Sequence, residues 1–331
     1  MKQVIRNKQL RVLLVFAVSA FFLWLSMRGV DFAKVLDNIK DVNLLILFIG
    51  LMIWLSGYIF RAIRWRMILS HIADIPVIES LRVLVIGFAM NNILPLRAGE
   101  IIRAYVLHKR ERSISKSSGF ASVAGERIFD GIAVVFYTIV GAMSLDLPAW
   151  AQKAISISAV LFTIMLIVTV IAVIKTEVFM RVVRLFTGKL PGDFGTTLEG
   201  VVEKLLLGLH AFKSFKKTLI AFGLSFCAWF AEVFFYYMSA RAFGIDISFL
   251  NSMFLMGILN LGIMIPAAPG GIGTFEFISV QSLGLIGIAP AVAFGYAIVS
   301  HFLQNASVIL FGIIFMLQYG LSVKGVTDAA E

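Results

Sequence analysis

The chain reads N-N-I-L-P-L-R-A-G-E-I-I-R from Asn91 to Arg103, directly after an apolar stretch that is too short to cross a bilayer. This segment, called the first break, places amides, a proline and charged groups where hydrocarbon is expected. Polar and irregular backbone at membrane depth survives only where it is packed in protein or lines a wet cavity. The first break therefore predicts an interrupted membrane segment whose polar groups have a use.

A second interruption, called the second break, lies near the other end of the chain and reads P-A-A-P-G-G-I-G-T-F-E from Pro266 to Glu276. Each break, with the residues just before it, carries an Asn, then a Pro, then Gly and Glu, although the spacing differs. Two interrupted segments in corresponding positions of two halves indicate a transport site near the middle of the membrane.

The composition places the whole chain in a membrane. Of its 331 residues, 60% are hydrophobic and 15% are charged, whereas a soluble domain carries about 25% charged residues. The net charge of +10 comes from basic residues in short loops beside apolar spans, the pattern of cytoplasmic loops rather than of a nucleic-acid surface. We therefore expect a protein of the cytoplasmic membrane that binds lipids, without nucleic acid, metal or cofactor.

The predicted fold is an all-α polytopic membrane protein, a single domain over residues 1–331. Two broken segments, 79–116 and 250–289, are predicted as re-entrant hairpins that enter from opposite faces, with inverted pseudo-symmetry between residues 1–174 and 218–331 around a linker at 175–217. The second broken segment has the alternative of two full spans. About six full spans complete the eight apolar segments, at residues 12–27, 43–60, 120–145, 155–174, 219–240 and 292–318.

Basic residues set the predicted orientation. Arg61, Arg64 and Arg66 follow the second span, and a second basic stretch runs from Lys109 to Lys116. Since both flank one short apolar piece, the positive-inside rule places both on the cytoplasmic side. The N- and C-termini are predicted to be cytoplasmic as well.

The densest polar cluster belongs to the first break and comprises Asn91, Asn92, Arg97, Glu100 and Arg103. On a helix, Glu100 and Arg103 stand at i and i+3 and are expected to pair. That pairing leaves Arg97 for a ligand, and the planar guanidinium fork suits a phosphate. The alternative is a group of ion pairs that only stabilises the hairpin.

The next helix carries Glu126, Arg127 and Asp130. The two carboxylates stand at i and i+4 and share a face, and Arg127 is expected to pair with Glu100 of the first break. The alternative is a salt bridge at a helix start, where acids are favoured by the helix dipole.

The second break places Pro269, Gly270, Gly271 and Gly273 before a helix start, with Glu276 in its first turn. Backbone N–H groups in such a turn can form an anion-binding nest. The alternative is a tight turn between packed helices.

Two further ionisable residues lie inside apolar helices. Glu232 is near the centre of one span, and His301 shares a polar face with Gln304 and Asn305 on the last. An intramembrane acid and a histidine suggest proton linkage. Hydrogen bonding between helices is the alternative for the two amides.

Three segments together resemble a known family. They are N-N-I-L-P-L-R-A-G-E-I-I-R-A, A-S-V-A-G-E-R-I-F-D and P-G-G-I-G-T-F-E, and they are similar to the signatures of the transmembrane region of lysylphosphatidylglycerol synthases, a flippase-like family of UPF0104 type with many stand-alone members. The resemblance implies movement or handling of lipids. The soluble aminoacyl-transferring domain of the full synthases is absent, so a separate enzyme is expected to make the lipid. His301 stands where relatives often carry arginine, which bears on headgroup choice.

The predicted function is therefore a lipid translocase that moves a phospholipid, an aminoacylated phospholipid or a lipid-linked sugar, with Arg97, Arg103 and Arg127 on the phosphate. A first alternative is a membrane glycosyl- or headgroup transferase with Glu100, Glu126 and Asp130 as acids and bases, since relatives have been labelled glycosyltransferases. A second is a secondary transporter of a small anion. Besides lipids, the predicted partners are a second copy of the chain and a separate lipid-synthesising enzyme.

Overall fold

The computed structural model describes residues 8–190, 194–208, 214–263 and 268–328. Within these ranges the regular structure is helical, and no strand is present. The helices, in chain order, are α1 (Lys8–Met27), α2 (Phe32–Lys40), α3 (Leu44–Leu69), α4 (Val77–Ile93), α5 (Gly99–Arg110), α6 (Lys116–Ala142), α7 (Ala149–Ile174), α8 (Thr176–Thr187), α9 (Phe194–Gly208), α10 (Phe215–Ala242), α11 (Phe249–Gly262), α12 (Thr274–Gly284), α13 (Pro290–Gln318) and α14 (Val323–Asp328).

The candidate membrane spans are fewer than the sequence predicts. Among the described residues, α3, α10, α13 and the central part of α7 are long and apolar enough to cross a bilayer, and α1 with α2 forms a fifth candidate that bends by 84°. The predicted span at 120–145 falls on α6, but three charged residues (Glu126, Arg127 and Asp130) interrupt its apolar sequence. The chain is thus a multi-pass helical membrane protein with four or five candidate spans.

Polar side chains define where several helices begin. Asp31 accepts hydrogen bonds from two backbone N–H groups at the start of α2, and Asn43, Ser115, Ser214 and Ser248 each accept one at the starts of α3, α6, α10 and α11. Such caps satisfy N–H groups that have no partner inside the helix. The caps therefore set the helix limits that hydropathy alone leaves undefined.

The predicted second span ends too early. Helix α3 continues nine residues beyond residue 60 to Leu69, so that Arg61 and Arg64 lie on the helix and are only 6% and 1% exposed. Of the three arginines assigned to a basic loop, Arg66 alone reaches the surface, where it pairs with Asp74 at 2.8 Å. The prediction failed because buried carboxylates on other helices hold the first two arginines.

Both breaks lie between two helices that turn back inside the bundle. At the first break, α4 includes Asn91 and Asn92 and ends at Ile93, and a short 3-10 turn (Pro95–Arg97) leads into α5. At the second break, a similar turn (Pro269–Gly271) precedes α12. Pro266, which the sequence analysis placed at the start of that break, lies outside the described residues.

The two broken helix pairs open toward opposite ends of the bundle. At one end, Glu79 at the start of α4 accepts hydrogen bonds from Arg110 at the end of α5 (2.7 Å) and from Tyr319 after α13 (2.6 Å). At the other end, Asn251 at the start of α11 accepts from Ser144, which follows α6. These contacts agree with the inverted topology, whereas re-entry into a bilayer stays a prediction.

We expect Gly99→Ala to destabilise the protein strongly. A Cβ atom at Gly99 would collide with the carbonyl oxygen of Gly87 and lie 2.6 Å from the backbone nitrogen of Asn91, so α4 and α5 would have to separate. Overpacking of this kind costs about 1–3 kcal/mol or more. The apparent melting temperature of the purified protein measures the loss.

Gly223→Ala is the matched control, because no atom lies within 4 Å of a Cβ at that helical position. This change should be neutral or slightly stabilising, since alanine is favoured over glycine by about 1 kcal/mol in a helix. Equal stability of the two variants would show that the close approach of α4 and α5 does not hold the first break.

Candidate functional site

A central cavity of about 670 Å³ lies between the two breaks. Asn91, Asn92 and Arg97 of the first break line it together with Pro269, Gly270 and Gly271 of the second, and the short turns of the two breaks contact each other. Residues from both halves of the chain therefore meet at one place, as the sequence analysis expected of a shared site.

The remaining predicted site residues fall into two groups, those that line the cavity and those that do not. Glu100, Arg127, Asp130, Glu232 and His301 also line it. Arg103, Glu126 and Glu276 are buried and are not part of the lining. Arg103 and Glu126 pair with each other, and Glu276 contacts the lining residue His301. Gly273, in the second break, is not part of the lining either.

Asp130 is the centre of a buried ion-pair network. Its carboxylate lies 2.6 Å from Arg64, 3.5 Å from Arg127 and 3.8 Å from Arg61. The indole nitrogen of Trp229 donates to it as well, at 3.0 Å. A buried carboxylate is tolerated when it is paired and hydrogen-bonded in this way, so Asp130 is positioned by three helices at once.

The predicted pairing of Glu100 with Arg103 is wrong. Arg103 instead lies 2.6 Å from Glu126, and its guanidinium stacks over the ring of Trp65 at 3.6 Å. Glu100 pairs with Arg127 at 2.9 Å, which confirms the contact predicted between the first break and α6. Helix α6 offers each residue a partner across the interface, and these contacts replace the one within the helix.

Three contributors to the site were not among the predicted site residues. Arg61 pairs with Glu232 at 3.3 Å and lies over the ring of Trp229 at 4.4 Å. Arg64 pairs with Glu126 at 3.3 Å, and Asn260 donates to Glu232 at 3.0 Å. The spacing i, i+3 of two arginines at the end of an apolar run is the available signal, but basic residues at that place are also typical of a cytoplasmic loop.

Arg97 differs from the other arginines of the site. Four arginines (Arg61, Arg64, Arg103 and Arg127) and four acids (Glu100, Glu126, Asp130 and Glu232) pair with one another and balance in charge. Within the described part of the chain, Arg97 forms no ion pair within 4.0 Å. It lines the cavity and has a left-handed backbone, with φ of 54°. The site therefore presents one uncompensated positive charge to the cavity.

The glycines of the second break are needed for its backbone. Gly270, Gly271 and Gly273 have φ of 70°, 76° and 91°, a region that is strained for other residues. Two N–H groups of the predicted anion nest are already used, because Gly271 donates to the carbonyl of Ala268 and Gly273 donates to the carboxylate of Glu276. Glu276 thus occupies part of the predicted nest.

His301 ties the last helix to the second break. Its Nδ1 lies 2.6 Å from Glu276 Oε1, and its Nε2 lies 2.8 Å from the carbonyl oxygen of Gly270. The ring of Phe275 stacks on the imidazole at 4.1 Å between centroids. The predicted polar face of α13 is therefore directed into the site, while a role in proton movement for His301 and Glu232 stays a prediction.

We expect the effects of Glu100→Gln and Arg127→Gln on stability to be non-additive. Each change alone leaves a partly buried charge without its 2.9 Å partner, and the double variant should lose less than the sum of the two, by about 0.5–3 kcal/mol. The measurement is a double-mutant cycle on apparent melting temperature. Strictly additive losses would show that the contact contributes nothing.

Comparison with known proteins identifies one family match and several related proteins. Residues 12–312 match the family model described as the lysylphosphatidylglycerol synthase TM region. Two UPF0104 membrane proteins of Methanothermobacter thermautotrophicus are 27% identical over 73% of this chain and 75% of theirs, and 24% identical over 96% and 95%. Glycosyltransferase AglD of Haloferax volcanii is 28% identical over 91% of this chain.

The match to AglD covers 53% of that relative, so this chain spans about half of its length. No solved structure matches the chain.

Proposed function

Since the chain belongs to the family of the lysylphosphatidylglycerol synthase transmembrane region, we propose that it is a lipid translocase of the cytoplasmic membrane. The headgroup of a phospholipid, an aminoacylated phospholipid or a lipid-linked sugar would pass through the cavity between the two breaks. The observation that carries this proposal is Arg97, the cation without an ion-pair partner among the described residues, in a cavity that both breaks line.

The charge of the cavity fits a phosphodiester. One phosphodiester carries one negative charge, which would neutralise Arg97 without disturbing the paired arginines around it. Arginine binds phosphate through its planar fork, and an arginine that already pairs with a carboxylate would first have to give up that partner. This favours Arg97 as the phosphate ligand, rather than the predicted trio that included Arg103 and Arg127.

The remaining lining suits a polar headgroup. Asn91, Asn92, Asn260 and Asn305 line the cavity, together with the aromatic residues Trp54, Tyr58 and Trp229. Amides offer both donors and acceptors to hydroxyl or amine groups. A headgroup could therefore exchange its water for these contacts at membrane depth.

Reconstituted vesicles test the proposal. Fluorescent phosphatidylglycerol, lysylphosphatidylglycerol, phosphatidylcholine and polyprenyl-phosphate sugar are each placed in vesicles with and without the protein, and accessibility of the outer leaflet to a membrane-impermeant reagent is followed over time. Faster loss of protection for at least one anionic or aminoacylated lipid supports the proposal. Identical rates with and without protein for the whole panel would refute it.

A membrane transferase is the second candidate, because one relative is named a glycosyltransferase. The acids proposed for this chemistry, Glu100, Glu126 and Asp130, are all held in ion pairs with arginine, which does not favour a role as acid or base. Incubation of the protein with polyprenyl phosphate and sugar nucleotides, followed by mass spectrometry of the lipids, separates the two candidates. A glycosylated lipid product would favour the transferase.

We predict that residue 70, after α3, and residue 113, after α5, are accessible from the cytoplasmic side. The pairing of Glu79 with Arg110 at 2.7 Å places the two ends of the first broken pair together, and basic residues surround both. Single cysteines in a Cys227→Ser background, labelled with an impermeant maleimide in intact cells and in inverted vesicles, measure the side. Labelling of the two positions from opposite sides would exclude the hairpin.

A further inference from the structure

The contacts of His301 show where one proton lies. The carbonyl oxygen of Gly270, 2.8 Å from Nε2, can only accept a hydrogen bond, so Nε2 carries a hydrogen. The other ring nitrogen lies 2.6 Å from Oε1 of Glu276, and two bare acceptors would repel each other at that distance. The pair therefore shares one proton, as imidazolium with carboxylate or as imidazole with carboxylic acid.

This proton changes the total charge of the site. The five arginines (Arg61, Arg64, Arg97, Arg103 and Arg127) and four acids (Glu100, Glu126, Asp130 and Glu232) around the cavity sum to +1. The pair of Glu276 and His301 is neutral with its proton and carries −1 without it. The site as a whole is therefore at +1 when the pair is protonated and at zero when it is not.

Among the described residues, no other ionisable group on the elements packed around α13 forms an ion pair with Glu276 or His301. Glu232 and Tyr236 on α10 and Arg97 at the first break share the cavity with His301. The acids and lysines of α2 pair with each other at the surface, and Glu79 of α4 pairs with Arg110. Within the described ranges, Glu276 is the one acid that lies within 4.0 Å of His301.

We propose that an anionic headgroup and one proton bind to this cavity together, with the proton held between Glu276 and His301. The inference rests on the proposed function for the lipid nature of the anion. A monoanionic phosphodiester neutralises the protonated site, whereas in the deprotonated site it leaves a net negative charge away from water, which is costly. By linkage, each ligand strengthens the binding of the other.

The same proton also holds the second break in place. Without it, the lone pair of Nδ1 would face the carboxylate of Glu276, and the contact of His301 with Gly270 would be weakened. Gly270 lines the cavity beside the turn of the first break. Loss of the proton would therefore loosen the wall at the point where the headgroup binds.

Isothermal titration calorimetry on the purified protein tests co-binding. The probes are dihexanoyl phosphatidylglycerol, dihexanoyl phosphatidylcholine, glycerol phosphate and inorganic phosphate, each in two buffers with different heats of ionisation at a series of pH values between about pH 5 and pH 8. We expect dihexanoyl phosphatidylglycerol to take up close to one proton at the alkaline end. Its affinity should fall there by up to about tenfold per pH unit, the limit for one linked proton.

Variants of the two residues of the pair should affect lipid binding differently. Glu276→Gln removes the negative charge and keeps an oxygen for the N–H of Gly273, so binding should lose its pH dependence and its proton uptake. His301→Gln leaves the charge of Glu276 without its partner, and binding should be about tenfold weaker or more across the range. Glu203→Gln, which affects a surface pair with Arg184 at 3.6 Å, is the control and should follow the wild type.

The outcomes separate the two proposals. Tight binding of dihexanoyl phosphatidylglycerol by the wild type without proton uptake would overturn co-binding and leave the translocase proposal standing. No binding of that lipid at any pH would overturn co-binding, and the vesicle panel would decide the translocase proposal separately. Equal affinity for inorganic phosphate, with proton uptake, would support co-binding and assign the site to a free anion instead of a lipid. These readings need only the wild type, so a variant that fails to fold does not remove the test.

Discussion

Among single substitutions that preserve side-chain volume, Asp130→Asn should destabilise this protein most. The carboxylate faces Arg61, Arg64 and Arg127 within 3.8 Å. Its loss would change the net charge of the ion-pair network, which comprises four arginines and four acids, from zero to +1. Removing one partner of a buried ion pair costs about 3–5 kcal/mol, a large share of the stability of most proteins. We expect little monodisperse protein after extraction, and a much lower apparent melting temperature for what remains.

Two further variants show whether charge is the cause. Asp146→Asn, at an exposed loop position, should leave stability within about 0.5 kcal/mol of wild type. Arg64→Met added to Asp130→Asn restores the charge balance, so the double variant should be more stable than the sum of the two losses predicts. A stability of Asp130→Asn equal to that of Asp146→Asn would show that the buried network contributes nothing net.

Arg97→Gln should abolish most lipid movement while leaving the fold intact. The change removes the one charge of the site that lacks an ion-pair partner among the described residues and leaves a shorter, neutral side chain with two N–H donors. A hydrogen bond to a charged group contributes about 1.5–3 kcal/mol, which corresponds to about a 10- to 150-fold change in binding. Transport per folded molecule, measured in the vesicle assay, should fall by a factor in that range.

Arg97→Lys tests the geometry of the same contact. Lysine keeps the charge but loses the planar fork, so transport should be intermediate between the wild type and Arg97→Gln. Arg112→Gln, an exposed arginine in the loop after α5, is the control and should transport normally. Wild-type transport by Arg97→Gln at full folded yield would remove this arginine from the mechanism and direct attention to His301 and Glu232.

The sequence predicted the architecture of the site better than its pairing. The two breaks are recognisable from a local conflict between polar residues and an apolar context, and the contact between Glu100 and Arg127 followed from the need to pair both charges. The partners of Arg61, Arg64 and Arg103 depend on which helices lie side by side, which hydropathy does not determine. The arginines of α3 were missed because a charge at the end of an apolar run looks the same whether it enters a loop or faces a buried acid.

The second break shows a different limit of sequence analysis. Its glycines predicted an unusual backbone, and the observed φ angles confirm that expectation. The use of the freed N–H groups could not be predicted, because the competing acceptor, Glu276, belongs to the same segment. Its own orientation depends on His301, which lies 25 residues away in the chain. A motif can therefore indicate a turn while leaving open whether the turn is empty or filled.

Helix α7 has a consequence for selectivity. Only 6% of its apolar stretch is buried, yet Phe162 and Met165 form part of the cavity wall, and the ring of Phe162 fills the space in front of Gly131. If α7 crosses the bilayer, the side chains of this one helix would separate the proposed headgroup site from the surrounding lipid. A lipid that entered here would leave its fatty tails outside the protein. Binding would then not depend on tail length or saturation, and selectivity among lipids would depend on the headgroup alone.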